Sequence, residues 1–212
     1  MYLDFAVYSR NINNYFDSYD YKLLYNYAKN KLSQKRSQHC LSVGEMLYKL
    51  NPLLGKYTAL ILGIGHDLTK EMDVLDAEEV IFRNKIPLYI GEKENPSTFH
   101  AVTGYYYFRQ IFPNAPLEFS FAIRHHTVLS SQYKSRLCYD LFVADKIEET
   151  RKNISSDFRK TVVDESNFEK RVLYLINMNN EYLKKKNKQL LNCTVELYNE
   201  LKNKYYGKEV GN

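Results

Sequence analysis

The stretch Ala59-Leu-Ile-Leu-Gly-Ile-Gly65 is the most nearly unbroken apolar run in the chain, and it ends on His66-Asp67. Taken from Gly55 to Asp67, the segment is long enough to be a buried helix rather than a strand. It is far short of the ~20 residues that span a bilayer. A helix that is apolar all round needs partners on every side, so the rest of the chain must pack around it. Two ionisable residues abutting so apolar a helix are costly unless they bond to something, and a metal ion is the natural compensation. Successive helical residues diverge by about 100°, so His66 and Asp67 can both reach one ion, or the carboxylate can also bridge to a second.

Helix-period patterns dominate elsewhere. Tyr21 to Lys31 reads as a short helix. Arg36 to Leu50 follows, with His39, Val43, Met46, Leu47 and Leu50 on one face, and Asn51-Pro52 ends it. Asp73 to Asn84 reads as a shorter acidic helix. Ser97 is expected to cap a helix over Thr98 to Phe112. Pro116, at a first-turn position, is expected to open one running to about Thr127. Arg136 to Thr150, Phe168 to Lys184 and Lys188 to Tyr206 complete the set, with Gly207 as the final stop. Alternating strand patterns are scarce, so the expected fold class is all-α, in a single domain. Residues 1–20 read as an N-terminal extension of unassigned role, 21–201 as the domain and 202–212 as a tail.

Composition narrows the function. With 212 residues, the chain is ample for a buried core. Mean hydropathy is −0.51, and Met1 to Arg10 carry Asp4 and Arg10 instead of a signal peptide's apolar stretch. Membrane and secretory readings are set aside, and a cytoplasmic protein is expected. Cys40, Cys138 and Cys193 are far apart with no C-x-x-C, which excludes a zinc ribbon and a disulfide framework. Net charge is +5, yet residues 1–150 balance at 17 basic and 17 acidic residues. The excess lies in residues 151–212, much of it in Lys184, Lys185, Lys186 and Lys188, which read as a solvated face. The body is no electrostatic footprint for nucleic acid. The aromatic clusters fall inside helices, where such stripes are core, not base-stacking platforms.

The chemistry-bearing residues recur one per helix: His39, then His66-Asp67, His100, His126, and Asp145 after the apolar turn Leu141-Phe-Val-Ala144. Asp145 reads either as a metal ligand or as the partner of an intrahelical pair with Lys146.

This order resembles the HD-domain phosphohydrolase superfamily. The surrounding words are Lys35-Arg-Ser-Gln-His39, Gly65-His-Asp-Leu-Thr-Lys-Glu71, Phe99-His-Ala101, Ala122-Ile-Arg-His-His-Thr127 and Val143-Ala-Asp-Lys-Ile-Glu-Glu-Thr-Arg151. Together they are similar to those of the YqeK family of symmetrical bis(5′-nucleosyl)-tetraphosphatases, over about Tyr21 to Leu201. The resemblance implies an HD-domain helical bundle with His39, His66, Asp67 and Asp145 as metal ligands. Iron is the expected ion, with manganese or zinc as alternatives. His100 and His126 would complete a second metal position or contact phosphate. His125, where the family has an aromatic, would stand behind the site. Arg36, Lys70 and Arg151 would neutralise phosphate, with Thr127 beside them.

The activity implied is cleavage of a dinucleoside polyphosphate, diadenosine tetraphosphate, to two ADP by a water activated on the metal. Lys70 would stabilise charge developing on the phosphates. The alternatives are another HD-type nucleotide phosphohydrolase or phosphodiesterase, or a non-catalytic nucleotide-binding module that keeps the metal site. A homodimer is compatible with the sequence. Two departures stand out: Ser42 where the family has glycine, and Val128-Leu-Ser-Ser131 where it has a Gly-Arg pair.

Overall fold

In the computed structural model, residues 12–207 are described. Among them the chain forms α1 (Ser18–Lys29), α2 (Gln34–Leu50), α3 (Lys56–Gly65), α4 (Val74–Arg83), α5 (Phe99–Ile111) and α6 (Leu117–His125). α7 (Arg136–Ile147), α8 (Ser156–Asp164), α9 (Phe168–Lys184) and α10 (Asn192–Tyr206) follow, with short 3-10 turns at Pro52–Leu54 and Pro96–Thr98. The described residues contain no strand, only an isolated bridge between Ser130 and Tyr133. None of these helices is long and apolar enough to cross a membrane. Residues 1–11 of the expected extension and 208–212 of the expected tail lie outside the described residues.

Side-chain caps start most helices. Asp17 and Asp20 form a capping box on α1, and Ser33, Asp73, Ser135, Ser155 and Asn167 cap α2, α4, α7, α8 and α9. α3 and α7 are the central pair: Thr58 to Gly65 are all buried, as is nearly all of α7. α2 lies across both. The α2–α3 crossing depends on two glycines, because a Cβ on Gly63 would come within 2.4 Å of Gly44 N and 2.6 Å of Cys40 O. This close approach carries His39 of α2 toward His66 at the end of α3. α1 covers the other side of α3, α5 and α6 pair beside it, and α9 with α10 closes over α7. Phe16, ahead of α1, is buried against Phe108, Phe112 and Phe119.

Several boundaries differ from the expectations above, each for a local reason. α3 stops at Gly65, because residues 66–72 turn through three-residue hydrogen bonds such as Lys70 N to Asp67 O. His66 is its cap residue, and Lys70 stands in that turn. Ser97 does not cap α5. Pro96 starts a 3-10 turn that contains it, and the Ser97 hydroxyl donates to Asn95 Oδ1. Pro116 sits one residue before α6 with extended ψ of 136°. α7 ends at Ile147, where Glu148 leaves the helix. α10 begins at Asn192 and not Lys188, since Asn187 takes a left-handed φ of 55°. α8 was not anticipated; its nine residues bury only Val162, so its apolar signal is faint. Cys40 and Cys138 are buried and Cys193 partly so, all as free thiols.

Candidate metal centre

Five separate segments deliver the expected residues to one point. His39 comes from α2, His66 and Asp67 from the end of α3, His100 from α5, His126 from the end of α6 and Asp145 from α7. All six are buried. Ligand atoms of His39, His66 and Asp145 lie within 4.8 Å of one another, as do those of His66, Asp67 and His126. Asp67 stands in the middle. Its Oδ2 is 3.6 Å from His39 Nε2 and 3.5 Å from His66 Nε2, and its Oδ1 is 3.4 Å from His100 Nε2. Asp145 Oδ1 is 3.2 Å from His39 Nε2 and 3.7 Å from His66 Nε2.

The outer ring nitrogens explain the orientation. His66 Nδ1 donates to Gly63 O at 2.6 Å, and His126 Nδ1 to Ile123 O at 2.7 Å. His39 Nδ1 donates to Glu148 Oε1 at 3.0 Å. With Nδ1 carrying the proton, each ring turns an Nε2 lone pair inward, the arrangement second partners impose on metal-binding histidines. His39 Nε2 and His66 Nε2 are buried and have no hydrogen-bond partner. Inward lone pairs facing carboxylates repel unless a cation lies between them, so the donor set fits a divalent metal. Imidazole with carboxylate suits iron, manganese or zinc better than calcium.

Burial opposes protonation of His39, but Asp145 and Glu148 outweigh it and raise its pKa, so the carboxylates draw positive charge to this point. Burial opposes ionisation of Asp67, but its surroundings, His66 foremost, outweigh it and hold its pKa below the usual carboxylate range. Burial also opposes ionisation of Asp145, but Lys146 beside it prevails and holds its pKa well below the usual carboxylate range. Burial, aided by Lys70, pushes His100 down to about 3 and keeps it neutral. Burial likewise holds His126 well below its usual value, with His66 and His100 adding to it.

Cations and hydroxyls surround the cluster. Arg36 donates to Asp67 Oδ2 at 2.7 Å, Lys146 to Asp145 Oδ2 at 2.7 Å and Arg151 to Asp145 Oδ1 at 2.6 Å. Lys70 Nζ is 3.2 Å from the His100 ring nitrogens, and Thr127 Oγ1 is 2.9 Å from His126 Nε2. Asp145 thus meets both of its sequence readings, pairing with Lys146 while turning Oδ1 to the histidines. His125 points away: its ring stacks on Tyr133 at 4.9 Å, and burial with Arg124 alongside lowers its pKa to about 3. It behaves as an aromatic packing residue. Glu148, the first residue past the end of α7, was missed. Burial raises its pKa less than His39 and Thr150 lower it, to about 2.

Fold and site together define an all-α protein of the HD-domain helical class with a buried His/Asp cluster. A solved structure with this fold is described as a predicted HD superfamily hydrolase involved in NAD metabolism, from Clostridium acetobutylicum. It superposes with a TM-score of 0.77 at 23% identity, over 87% of this chain and 97% of that one. No family model matches the chain, and no curated protein matches it by sequence.

Proposed function

We propose that the protein is a divalent-metal-dependent phosphohydrolase that cleaves diadenosine tetraphosphate symmetrically to two ADP. The observation that carries the hydrolase reading is the pair of unpartnered, buried Nε2 atoms of His39 and His66 facing Asp67 and Asp145. Held by those four residues, a divalent ion supplies a water with its pKa lowered toward about 7 and offsets charge on the phosphoryl oxygen. The substrate class rests on the five motif words and on the surrounding Arg36, Lys70, Lys146 and Arg151, which suit a polyanion.

The chain's own residues have distinct tasks in this reading. Arg36 and Arg151 donate to Asp67 and Asp145 and hold those carboxylates in orientation. Neutral His100 and His126 present Nε2 beside the Thr127 hydroxyl, which positions them to accept a proton or hold a phosphate oxygen. Lys70 offers positive charge next to His100. If Arg36, Lys70 and the two histidines hold one ADP half, the central anhydride meets the cluster. A slip of one phosphate would mismatch that half's charges, so binding energy enforces the register.

The test is chromatography of early time points with ferrous- or manganese-loaded protein. ADP as the sole product from diadenosine tetraphosphate is expected. ATP and AMP in equal amounts would overturn the symmetrical reading. Because the Clostridium structure's description concerns NAD metabolism, NAD⁺ belongs in the same panel; faster turnover of NAD⁺ would move the assignment to that dinucleotide.

A further inference from the structure

Beside the cluster opens a cavity of about 420 Å³, within the size range of small-molecule sites. Its inner end is formed by Thr127, whose hydroxyl touches His126, and by Lys146, which pairs with Asp145. Phe142 of α7 and Ile176 and Leu183 of α9 supply apolar wall. Asn179, three residues from Ile176 and four from Leu183, adds an amide on the same helix face.

The outer wall is the connection from α9 to α10. Lys188 N donates to Leu183 O at 2.9 Å and Asn187 N to Lys184 O at 3.0 Å, around the left-handed Asn187. This is a Schellman stop, which turns the chain sharply at a helix end. It directs Lys188 and Gln189 into the cavity lining, whereas Lys184, Lys185 and Lys186 stay outside that lining. The lysine run is therefore not uniform: one member faces the site.

Apolar walls with amides suit a flat heterocycle with a hydrogen-bonding edge. Lys146 and Lys188 against the acid Glu94 suit an anion. A nucleoside with a phosphate tail has both properties. We propose that this cavity is the nucleoside subsite of the enzyme. Phe142, Ile176 and Leu183 flank the base, Asn179 and Gln189 meet its edge, and Lys188 and Lys146 contact the phosphates leading to the cluster. The choice of ligand rests on the phosphohydrolase reading; the cavity and its lysine do not.

The test is calorimetric titration of ADP into metal-loaded protein, with hydrolysis and metal content measured on the same samples. Lys188→Glu and Leu183→Trp, which fills the cavity, are each expected to weaken ADP binding at least tenfold. Lys185→Glu makes the same charge change outside the cavity and is expected to stay within twofold. Lys188 is exposed, so its variant remains informative if Leu183→Trp fails to fold. Wild-type affinity in Lys188→Glu, or equal weakening in Lys185→Glu, would overturn the subsite, as would a wild type that binds no ADP. Hydrolysis with ADP affinity unmoved by the variants would remove the subsite and leave the hydrolase. The expected binding pattern without any hydrolysis would do the reverse.

Discussion

Asp67 lies within 4.0 Å of a ring nitrogen of each of His39, His66, His100 and His126, and accepts from Arg36 besides. That density of donors around one buried carboxylate makes the neighbours' orientation decisive. Glu148 holds His39 through Nδ1 without facing the cluster. Glu148→Gln is expected to weaken metal affinity about 10–100-fold, the usual effect of losing such a partner. Direct metal titration checks it, and unchanged affinity would show that His39 needs no holder. His125 and His126 separate by the same reasoning. His126→Ala should lose most turnover, while His125→Ala, which removes a ring stacked on Tyr133, should keep it at the cost of a few kcal/mol of stability. An inactive His125→Ala beside an active His126→Ala would reverse the assignment. Of these residues, His66, Asp67 and Asp145 were legible because ionisable groups at the end of an apolar helix stand out. Glu148 was not, since Glu149 beside it is exposed and looks identical in sequence.

At the scale of elements, α7 carries both the site and a buried carboxylate apart from it. Asp140 accepts from Asn51 at 3.0 Å and from Arg136 at 3.3 Å, and its other oxygen has no hydrogen-bond partner. Burial raises its pKa to about 6 against the opposing pull of Arg136, Asn51 and Arg171. The folded state therefore binds this proton more tightly than the unfolded chain. Its contribution is favourable below the unfolded pKa of about 4 and is lost as pH rises to about 6, by about 3 kcal/mol at roughly 1.4 kcal/mol per unit. Asp140→Asn should gain stability relative to the wild type across that window and hold the gain above it. Denaturant melts at pH 4, 5, 6 and 7 check this; a difference constant with pH would show that Asp140 is not the titrating group. Helices with strong periodicity, such as α2 and α9, were legible. Residues 188–191 were misread as helix because their register matches α10, and only the backbone of Asn187 turns them into cavity wall.

Over the whole molecule, the all-α class followed from helical periodicity and the apolar α3. What sequence could not convey is convergence. The Gly44–Gly63 contact sets how α2 meets α3, and the cavity forms from segments as distant as Thr98 and Thr194. The fold's central consequence is a buried cluster of lone pairs and carboxylates that needs a cation. Elemental analysis of freshly purified protein beside Asp67→Ala and His66→Ala, each removing one donor, addresses that need directly. Stoichiometric transition metal in the wild type and its loss in both variants is the predicted result. A wild type that takes up no metal under reducing conditions, or full occupancy in both variants, would contradict it.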